Sequence, residues 1–468
     1  MAQRFFSYIK SFFDVDRDER LKVLLLSVAF FLVIGAYTLT YELKDSLFVH
    51  IVGKEYVPYA RMISMLVFIP AILLFSKLVD LVRKHQLLYL YMFAYGFVGL
   101  IIAYYLGHPT IGLVNTVADK HRIFGWLIYL FAEGYPPFIA SLLWAFINSI
   151  TSPDAAKKNY SVIIAGSKLG GITVSAFAIW LLTRNAGTHE LSYSHVVAHQ
   201  ILFSIASFLL FLVPIVIYIL MKKVPSRNLH GYEAAYEAEK KGLDVDQNQG
   251  TCARLFSGLT LLVRYPYVLG MFGMIFFWEV VNSVIAFERL GVGKQVAHNI
   301  SDYTRFLFDA IIYFHFICLL IVVFGTRFII KYLGERRSLI LVPVATGVLL
   351  ISYLFIKTPG MIIAIFVLLR AINYAFANPL RESLYIPTSK DMRFKAKSWI
   401  DAFGAKFAKA FGSSYNVFIQ TVPLGLVGGI GAAFFLTIIS FWTLTAHLLG
   451  RRFEKAINNN EVIGLDKV

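Results

Sequence analysis

The stretch NPLRESLYIPTSKDMRFKAKSWIDAFGAKFAKAFGSSYNVFIQ, residues 378–420, places many charged side chains inside an otherwise apolar part of the chain. From residue 396 onward its pattern predicts a membrane-spanning helix, yet that helix carries Asp401, Lys406 and Lys409. Each such charge would cost about 2.5 to 3.5 kcal/mol if it faced lipid at mid-depth. We therefore expect these side chains to face the interior of a helical bundle. Several bases on one spanning helix indicate a site for an anion.

The composition indicates a polytopic membrane protein. Of the 468 residues, 58% are hydrophobic and only 15% are charged, whereas about a quarter of the residues of soluble domains are charged. The formal net charge of +16 would suggest a nucleic-acid partner in a soluble chain, but membrane proteins accumulate Lys and Arg on their cytoplasmic loops. We therefore expect a lipid bilayer around the chain and no nucleic acid bound to it.

Apolar windows of about 20 residues predict twelve transmembrane helices in an all-α fold. The predicted spans are residues 23–48, 57–82, 87–106, 123–150, 159–183, 197–221, 266–288, 304–326, 338–356, 359–380, 396–420 and 427–449. The only long polar stretch falls in the middle of the chain. It predicts a linker at 222–265 between two six-helix halves, 23–221 and 266–449.

Basic residues predict the orientation in the membrane. The first 22 residues, the loops after the even-numbered spans and the tail 450–468 carry most of the Lys and Arg, while the other loops carry few, such as Lys54 and Arg184. By the positive-inside rule, both termini and the linker are expected to be cytoplasmic. Within the N-terminal segment, the aromatic and basic residues 4–13 predict a short helix that lies in the membrane interface.

Two weak internal similarities favour duplicated halves. KLVDLVRKHQLL at 77–88 and KYLGERRSLI at 331–340 both place paired bases just after an apolar span, as in the second-to-third-span loop of major facilitator transporters. ITSPDAAKKNYSVIIAGSKLGG at 150–171 and the segment 386–412 place Lys168 and Lys406 at matching positions after Gly166 and Gly404. With twelve spans and a central linker, they predict a major-facilitator-like transporter whose site lies between the halves.

Several ionisable residues fall within the predicted spans. Lys44 is near the outer end of the first span, where it either reaches the interface, pairs with Asp45 or serves the site. Glu133 lies about ten residues into the fourth span, and the prolines that follow it are expected to break the helix beside a cavity. Lys168 has small neighbours, which allow a helix or ligand to approach closely. Glu279 and Asn282 lie about one turn apart near mid-depth.

Three further residues have both a structural and a functional interpretation. Arg370 is expected to pair with one of the buried acids, because an unpaired guanidinium inside a membrane protein is rare. Asp309 and His315 fit a proton relay, but a buried pair or a structural histidine explains them equally well.

Bases and deep carboxylates together predict a polyanion as the ligand, with the acids balancing the cations when the site is empty. The chain contains no GxxxxGK[ST] phosphate loop, so nucleotide hydrolysis is not expected. Cys252 and Cys318 lack the spacing of metal ligands. We therefore expect no metal and no cofactor.

Several motifs resemble the ATP/ADP translocases of plastids and obligate intracellular bacteria. They are LKDSLFV at 43–49, AEGYPPFIASLLWAFINSIT at 132–151, NPLRESLYIP at 378–387 and WIDAFGAKFAKAFG at 399–412. The resemblance implies twelve spans in a major-facilitator-like fold and nucleotide exchange, or proton-coupled nucleotide import as in some members. We expect the chain to work as a monomer in a bacterial plasma (inner) membrane. The resemblance also implies substrate roles for the residues at the matching positions: Lys44, Glu133, Glu279 and Lys409.

The chain departs from the family pattern at three places. Arg381 stands where the family usually has Lys, Ser149 follows Asn148 where the family has an acid, and Asn282 and Ser283 follow Glu279 where it has Trp-Lys. The predicted substrate-binding residues are Lys44, Glu133, Asn148, Lys168, Glu279, Asn282, Arg381, Lys406 and Lys409.

The alternatives to ATP/ADP exchange are several. They are proton-coupled nucleotide import, transport of NAD, GTP, UTP or another phosphorylated metabolite, and, more remotely, a polytopic membrane enzyme.

Overall fold

The computed structural model describes residues 17–151, 153–184, 193–225, 229, 259–321, 326–356, 358–389, 392 and 396–464. The predicted interfacial helix at 4–13 and most of the predicted linker at 222–265 lie outside the described residues.

The described residues form a bundle of long helices. The helical stretches are Arg17–Ile51, Val57–Leu81, Lys84–Tyr105, Ile123–Ser149, Pro153–Thr183, Tyr193–Lys223, Pro266–Val296, Ile300–Leu320, Thr326–Phe355, Pro359–Ser383, 397–421 and Leu424–Asn458. Each predicted span overlaps one of these stretches, and the predicted span 304–326 also includes residues 322–325, which lie outside the described part of the chain. Thr326–Phe355 is interrupted at Gly334, whose φ of 71° lies in the left-handed region that glycine adopts without a steric penalty.

Ten of the described helices are long and apolar enough to cross a membrane. The stretches at 57–81 and 397–421 are not among these ten, although they pack within the same bundle. The stretch 397–421 carries Lys397, Asp401, Lys406 and Lys409, which lower its apolarity, and two of these charges, Lys406 and Lys409, pair with the buried Glu133. Large apolar side chains such as Leu66 and Phe97 are more than 60% exposed on the outside of the bundle, as expected for a lipid-facing surface.

Two clusters of buried apolar side chains form the core. The first is built from residues 23–229 together with 287–308, and the second from residues 262–463. Helices from the two predicted halves pack together, because Pro153–Thr183 contacts Ile300–Leu320 and Val57–Leu81 contacts Ala405–Thr421. These contacts bring charged side chains from distant parts of the sequence to one place.

Candidate functional site

The carboxylate of Glu133 lies at the centre of the bundle. Glu133 is the last residue of the regular α-helix Ile123–Glu133. The chain then continues as the π-helical segment Pro136–Ala140 before the α-helix resumes at Ser141. The sequence predicted a helix break at the two prolines, but the helix widens instead. The Pro136 carbonyl accepts a hydrogen bond from the Ser141 hydroxyl at 2.9 Å, so this carbonyl stays paired although the regular helical pattern is lost.

Three lysines donate to this one carboxylate. Lys44 Nζ lies 2.8 Å from Glu133 Oε1, and Lys406 Nζ lies 3.2 Å from Oε2. Lys409 Nζ contacts both oxygens, at 3.0 Å to Oε2 and 3.2 Å to Oε1. Glu133 is only 2% exposed, and charge-assisted hydrogen bonds in such a dry site are stronger than bonds between neutral groups.

Aromatic faces surround the lysines of this cluster. Lys44 lies 3.9 Å from the ring centroid of Tyr41 and 4.3 Å from that of Tyr129, and Lys406 lies 4.9 Å from that of Phe68. Ring faces attract ammonium groups without neutralising them. The site therefore keeps its positive charge available to an anion.

The cluster carries more positive than negative charge. Its second carboxylate is Asp45, 3.1 Å from Lys44 Nζ, so three ammonium groups face two carboxylates. Lys44 and Glu133 belong to the first predicted half, while Lys406 and Lys409 belong to the second. Glu133 thus links helices from both parts of the chain through its own charge.

A cavity of about 310 Å³ lies beside the stretch 397–405. Among its lining residues are Glu279, Arg381, Glu382, Tyr385 and Asp401. Arg381 donates to Asn373 Oδ1 at 2.9 Å and also bonds Asn378. Its guanidinium is therefore held by neutral amides and faces acids across the cavity.

Glu279 accepts a hydrogen bond from Asn282 at 3.4 Å. Asn282 also accepts one from Arg370 Nε at 3.2 Å. The carboxylate partner that the sequence predicted for Arg370 is not found among the described residues. Arg370 instead stacks on Phe366, with Cζ 4.2 Å from the ring centroid.

Most of the predicted site residues fall into two groups, and two of them lie elsewhere. Lys44, Glu133, Lys406 and Lys409 form one cluster, and Glu279 and Arg381 line the cavity, with Asn282 bonded to Glu279. Lys168 lies 5.4 Å from the Phe314 ring centroid, outside both groups. Asn148 is exposed and accepts a hydrogen bond from Tyr160 at 2.5 Å.

A buried ion pair between Glu42 and Arg289 was missed by the sequence analysis. Glu42 lies within the predicted span 23–48, so the rule that selected Glu133 would also have selected it, whereas Arg289 lies one residue beyond the predicted span 266–288. Arg61 was missed as well, and its guanidinium donates to the Ser283 carbonyl at 2.8 Å. Among the described residues, no group of three or more His, Cys, Asp or Glu side chains is arranged to hold a metal ion.

The fold and the charged centre define a multi-pass membrane protein, whose fold is similar to that of major facilitator transporters. A D-xylose-proton symporter matches with a TM-score of 0.62 and 15% identity over 92% of this chain and 96% of its own. A nucleoside transporter matches with a TM-score of 0.55 and 14% identity over 93% of this chain and 99% of its own. At these identities the similarity concerns the fold.

The family model described as TLC ATP/ADP transporter matches residues 1–453, and the chain belongs to this family. It is 23% identical to ADP,ATP carrier protein 1 of Chlamydia pneumoniae over 98% of this chain and 96% of the relative. It is 20% identical to ADP,ATP carrier protein 1 of Rickettsia bellii over 97% of both chains. The chain is therefore a transporter rather than an enzyme.

Proposed function

We propose that this protein exchanges ATP and ADP across a membrane by alternating access of two six-helix halves, residues 23–221 and 266–449. The observation that carries the proposal is the Glu133 carboxylate, which three lysines from both halves bind at once. The names of the relatives support an adenine nucleotide as the substrate. The same lysines suit the phosphates of a nucleotide, because ammonium groups bind phosphate as point charges.

Competition between Glu133 and the substrate would couple binding to movement. A polyphosphate that takes over Lys406 and Lys409 releases them from Glu133, and the halves then lose one of their electrostatic links. Without a nucleotide, the carboxylate and the lysines hold the halves together, and separating them would leave buried charges uncompensated. The empty carrier should therefore reorient slowly, which is the property that enforces exchange.

The proposed orientation follows the loop charges. Both termini and the linker 222–265 would be cytoplasmic, in the plasma (inner) membrane of a bacterium. The cavity beside Arg381 and Asp401 would then open towards the cytoplasm, because it lies next to the basic loop that follows the tenth predicted span. We propose that the chain works as a monomer in the lipid bilayer, with the nucleotide as its ligand and no nucleic-acid partner.

The test is nucleotide exchange in proteoliposomes loaded with ADP and supplied with labelled ATP outside. We expect uptake to require internal nucleotide, and Glu133→Gln to reduce exchange at least tenfold because it removes the charge that balances three lysines. Glu454→Gln is the matched control, since Glu454 pairs with Arg336 at 2.9 Å on the exposed surface. Equal uptake with and without internal nucleotide would contradict exchange.

Proton-coupled nucleotide import is the second candidate. It is favoured by Glu279, which lines the cavity and has no basic partner within ion-pair distance among the described residues. Acidic residues within membrane spans often belong to the proton relays of pumps and transporters. In the same liposomes, an inward proton gradient would raise uptake into nucleotide-free vesicles, and Glu279→Gln would abolish that increase.

A further inference from the structure

Three π-helical segments occur in the described bundle, and each lies close to a charged residue at mid-depth. Pro136–Ala140 follows Glu133, and Ile400–Gly404 precedes Lys406. The third, Ile372–Ala377, follows Arg370. A π-helical turn inserts an extra residue into a helix and frequently marks a functional site. Two of the three segments flank the Glu133 cluster, so the third points to a comparable role for Arg370.

Arg370 occupies the position in the second half that Glu133 occupies in the first. Glu133 is the last residue of Ile123–Glu133 and precedes Pro136–Ala140 in the fourth helix of its half. Arg370 is the last residue but one of Pro359–Ala371 and precedes Ile372–Ala377 in the fourth helix of the other half. The acid Glu133 in the first half thus corresponds to the base Arg370 in the second half. Glu133 has three basic partners.

Arg370 has no comparable partner. It is 8% exposed, and within the described part of the chain no carboxylate lies within 4 Å of its guanidinium. Its polar contact is the Asn282 amide oxygen at 3.2 Å, and its face lies on Phe366. The charge of Glu42 acts on Arg370, but Glu42 accepts its hydrogen bond from Arg289 at 2.9 Å. A buried cation held this way favours an anionic ligand.

Lys168 lies in a similar environment on the helix Pro153–Thr183. Its ammonium is 5.4 Å from the ring centroid of Phe314 and 6.0 Å from that of Tyr374, a residue of the π-helical segment after Arg370. Within the described residues it has neither an ion pair nor a hydrogen bond. Lys168 therefore extends from the first half towards the helix Pro359–Ser383, which carries Arg370. It provides a second uncompensated positive charge in this region.

Tyr41 connects this region to the Glu133 cluster. Its ring centroid lies 3.9 Å from Lys44 Nζ, 6.0 Å from Lys409 Nζ and 5.9 Å from Arg370 Cζ. Cations of both regions are therefore close to one ring. An extended polyanion bound by the Glu133 lysines at one end could reach Arg370 with the other.

We propose that Arg370 and Lys168 form a second phosphate-binding point, which holds the end of the nucleotide's polyphosphate that lies away from Lys44, Lys406 and Lys409. The proposal rests on the proposed nucleotide exchange and adds the residues that distinguish long from short phosphate chains. Arg370 supplies a planar fork that can donate two parallel hydrogen bonds to one phosphate. Lys168 supplies a point charge from the opposite half.

The experiment measures the affinity of the full-length purified protein for ATP, ADP and AMP by calorimetry. We expect Arg370→Gln to weaken ATP binding by about tenfold to a hundredfold, the range for loss of a charge-assisted hydrogen bond. AMP binding should weaken by less than about threefold, because its single phosphate does not extend to Arg370. Arg370→Lys should restore part of the ATP affinity, since it keeps the charge and loses the fork.

The controls separate a binding role from a structural one. Arg305→Gln removes a partly exposed arginine of the second half, which lies 3.9 Å from Asp309, and should leave both affinities unchanged. Lys168→Gln should reproduce the selective loss of ATP affinity, and it tests the proposal by itself if Arg370→Gln does not fold. If the binding of ATP and of AMP weakened equally, or if neither weakened, the second phosphate-binding point would be overturned. Absence of nucleotide binding by the unmodified protein would instead refute the proposed function.

Discussion

Arg289 donates a hydrogen bond to Glu42 across 2.9 Å, and both side chains are completely buried although 247 positions separate them in the sequence. Nearby, Ser46 and Thr304 share a hydrogen bond of 2.5 Å, and His199 contacts Thr304 at 2.8 Å. These polar contacts join the two predicted halves on the side that the loop charges predict to be external. The two halves are therefore in contact on the side predicted to be external, while the cavity lies towards the predicted cytoplasmic side.

The Glu42–Arg289 pair should be strongly coupled. We expect Arg289→Ala to lower the free energy of unfolding by about 3 to 5 kcal/mol, because it leaves the Glu42 carboxylate buried without a countercharge. The double variant Glu42→Gln with Arg289→Ala should lose less stability than the sum of the losses of the single variants Glu42→Gln and Arg289→Ala. Thermal unfolding of the detergent-purified protein measures these losses, and strictly additive losses would show that the two residues do not interact.

The Ser46–Thr304 contact offers a test of alternating access. Cysteines at both positions, in a chain whose Cys252 and Cys318 are replaced by Ser, should form a disulfide because the two hydroxyl oxygens are in contact. We expect oxidation to stop exchange and reduction to restore it, since the halves must separate here to open outwards. Each single cysteine variant serves as the control. Unchanged exchange in the cross-linked protein would contradict an outer opening at this contact.

Close helix packing around Gly170 should not tolerate a larger residue. A Cβ at this position would overlap the carbonyl oxygen of Phe31 on the neighbouring helix Arg17–Ile51. We expect Gly170→Ala to destabilise the protein by about 1 to 3 kcal/mol through overpacking. Gly360→Ala is the matched control, because nothing lies within 4 Å of the added Cβ. Similar unfolding temperatures for the two variants would show that the helices adjust at no cost.

Lys409 should contribute more to nucleotide binding than a surface lysine. A ligand at about 100 times its dissociation constant stabilises a protein by roughly 2.7 kcal/mol, so ATP and ADP should raise the unfolding temperature. We expect Lys409→Ala to remove most of this rise, because its ammonium contacts both oxygens of the carboxylate that a phosphate would replace.

The matched control is Lys455→Ala, which alters an exposed lysine of the last helix. ATP and ADP should still raise the unfolding temperature of this variant. A panel that also contains GTP, CTP, UTP, NAD and a sugar phosphate shows which anion binds. If ATP raised the unfolding temperature of the Lys409→Ala protein as much as that of the unmodified protein, the phosphates would bind away from Lys409.

The sequence by itself determined the membrane class, the helical fold and the identity of the central charges. Apolar windows of sufficient length decide where helices cross a bilayer, because backbone groups in lipid must be paired within their own segment. The cost of a charge at mid-depth similarly identified Glu133, Lys406 and Lys409 as residues that face a protein interior. These signals are local, so they can be read from the order of the residues.

The partners of those charges were decided only by the tertiary structure. Hydropathy gives the depth of Lys44 in its helix but not which way the helix is rotated, so it could not show that Lys44 meets Glu133 as well as Asp45. The rotation is set by contacts such as that between Gly170 and the Phe31 backbone, which join distant helices. For the same reason the sequence assigned Arg370 an acidic partner. In the described structure Arg370 contacts the Asn282 amide oxygen instead, and Glu42, whose charge acts on Arg370, pairs with Arg289.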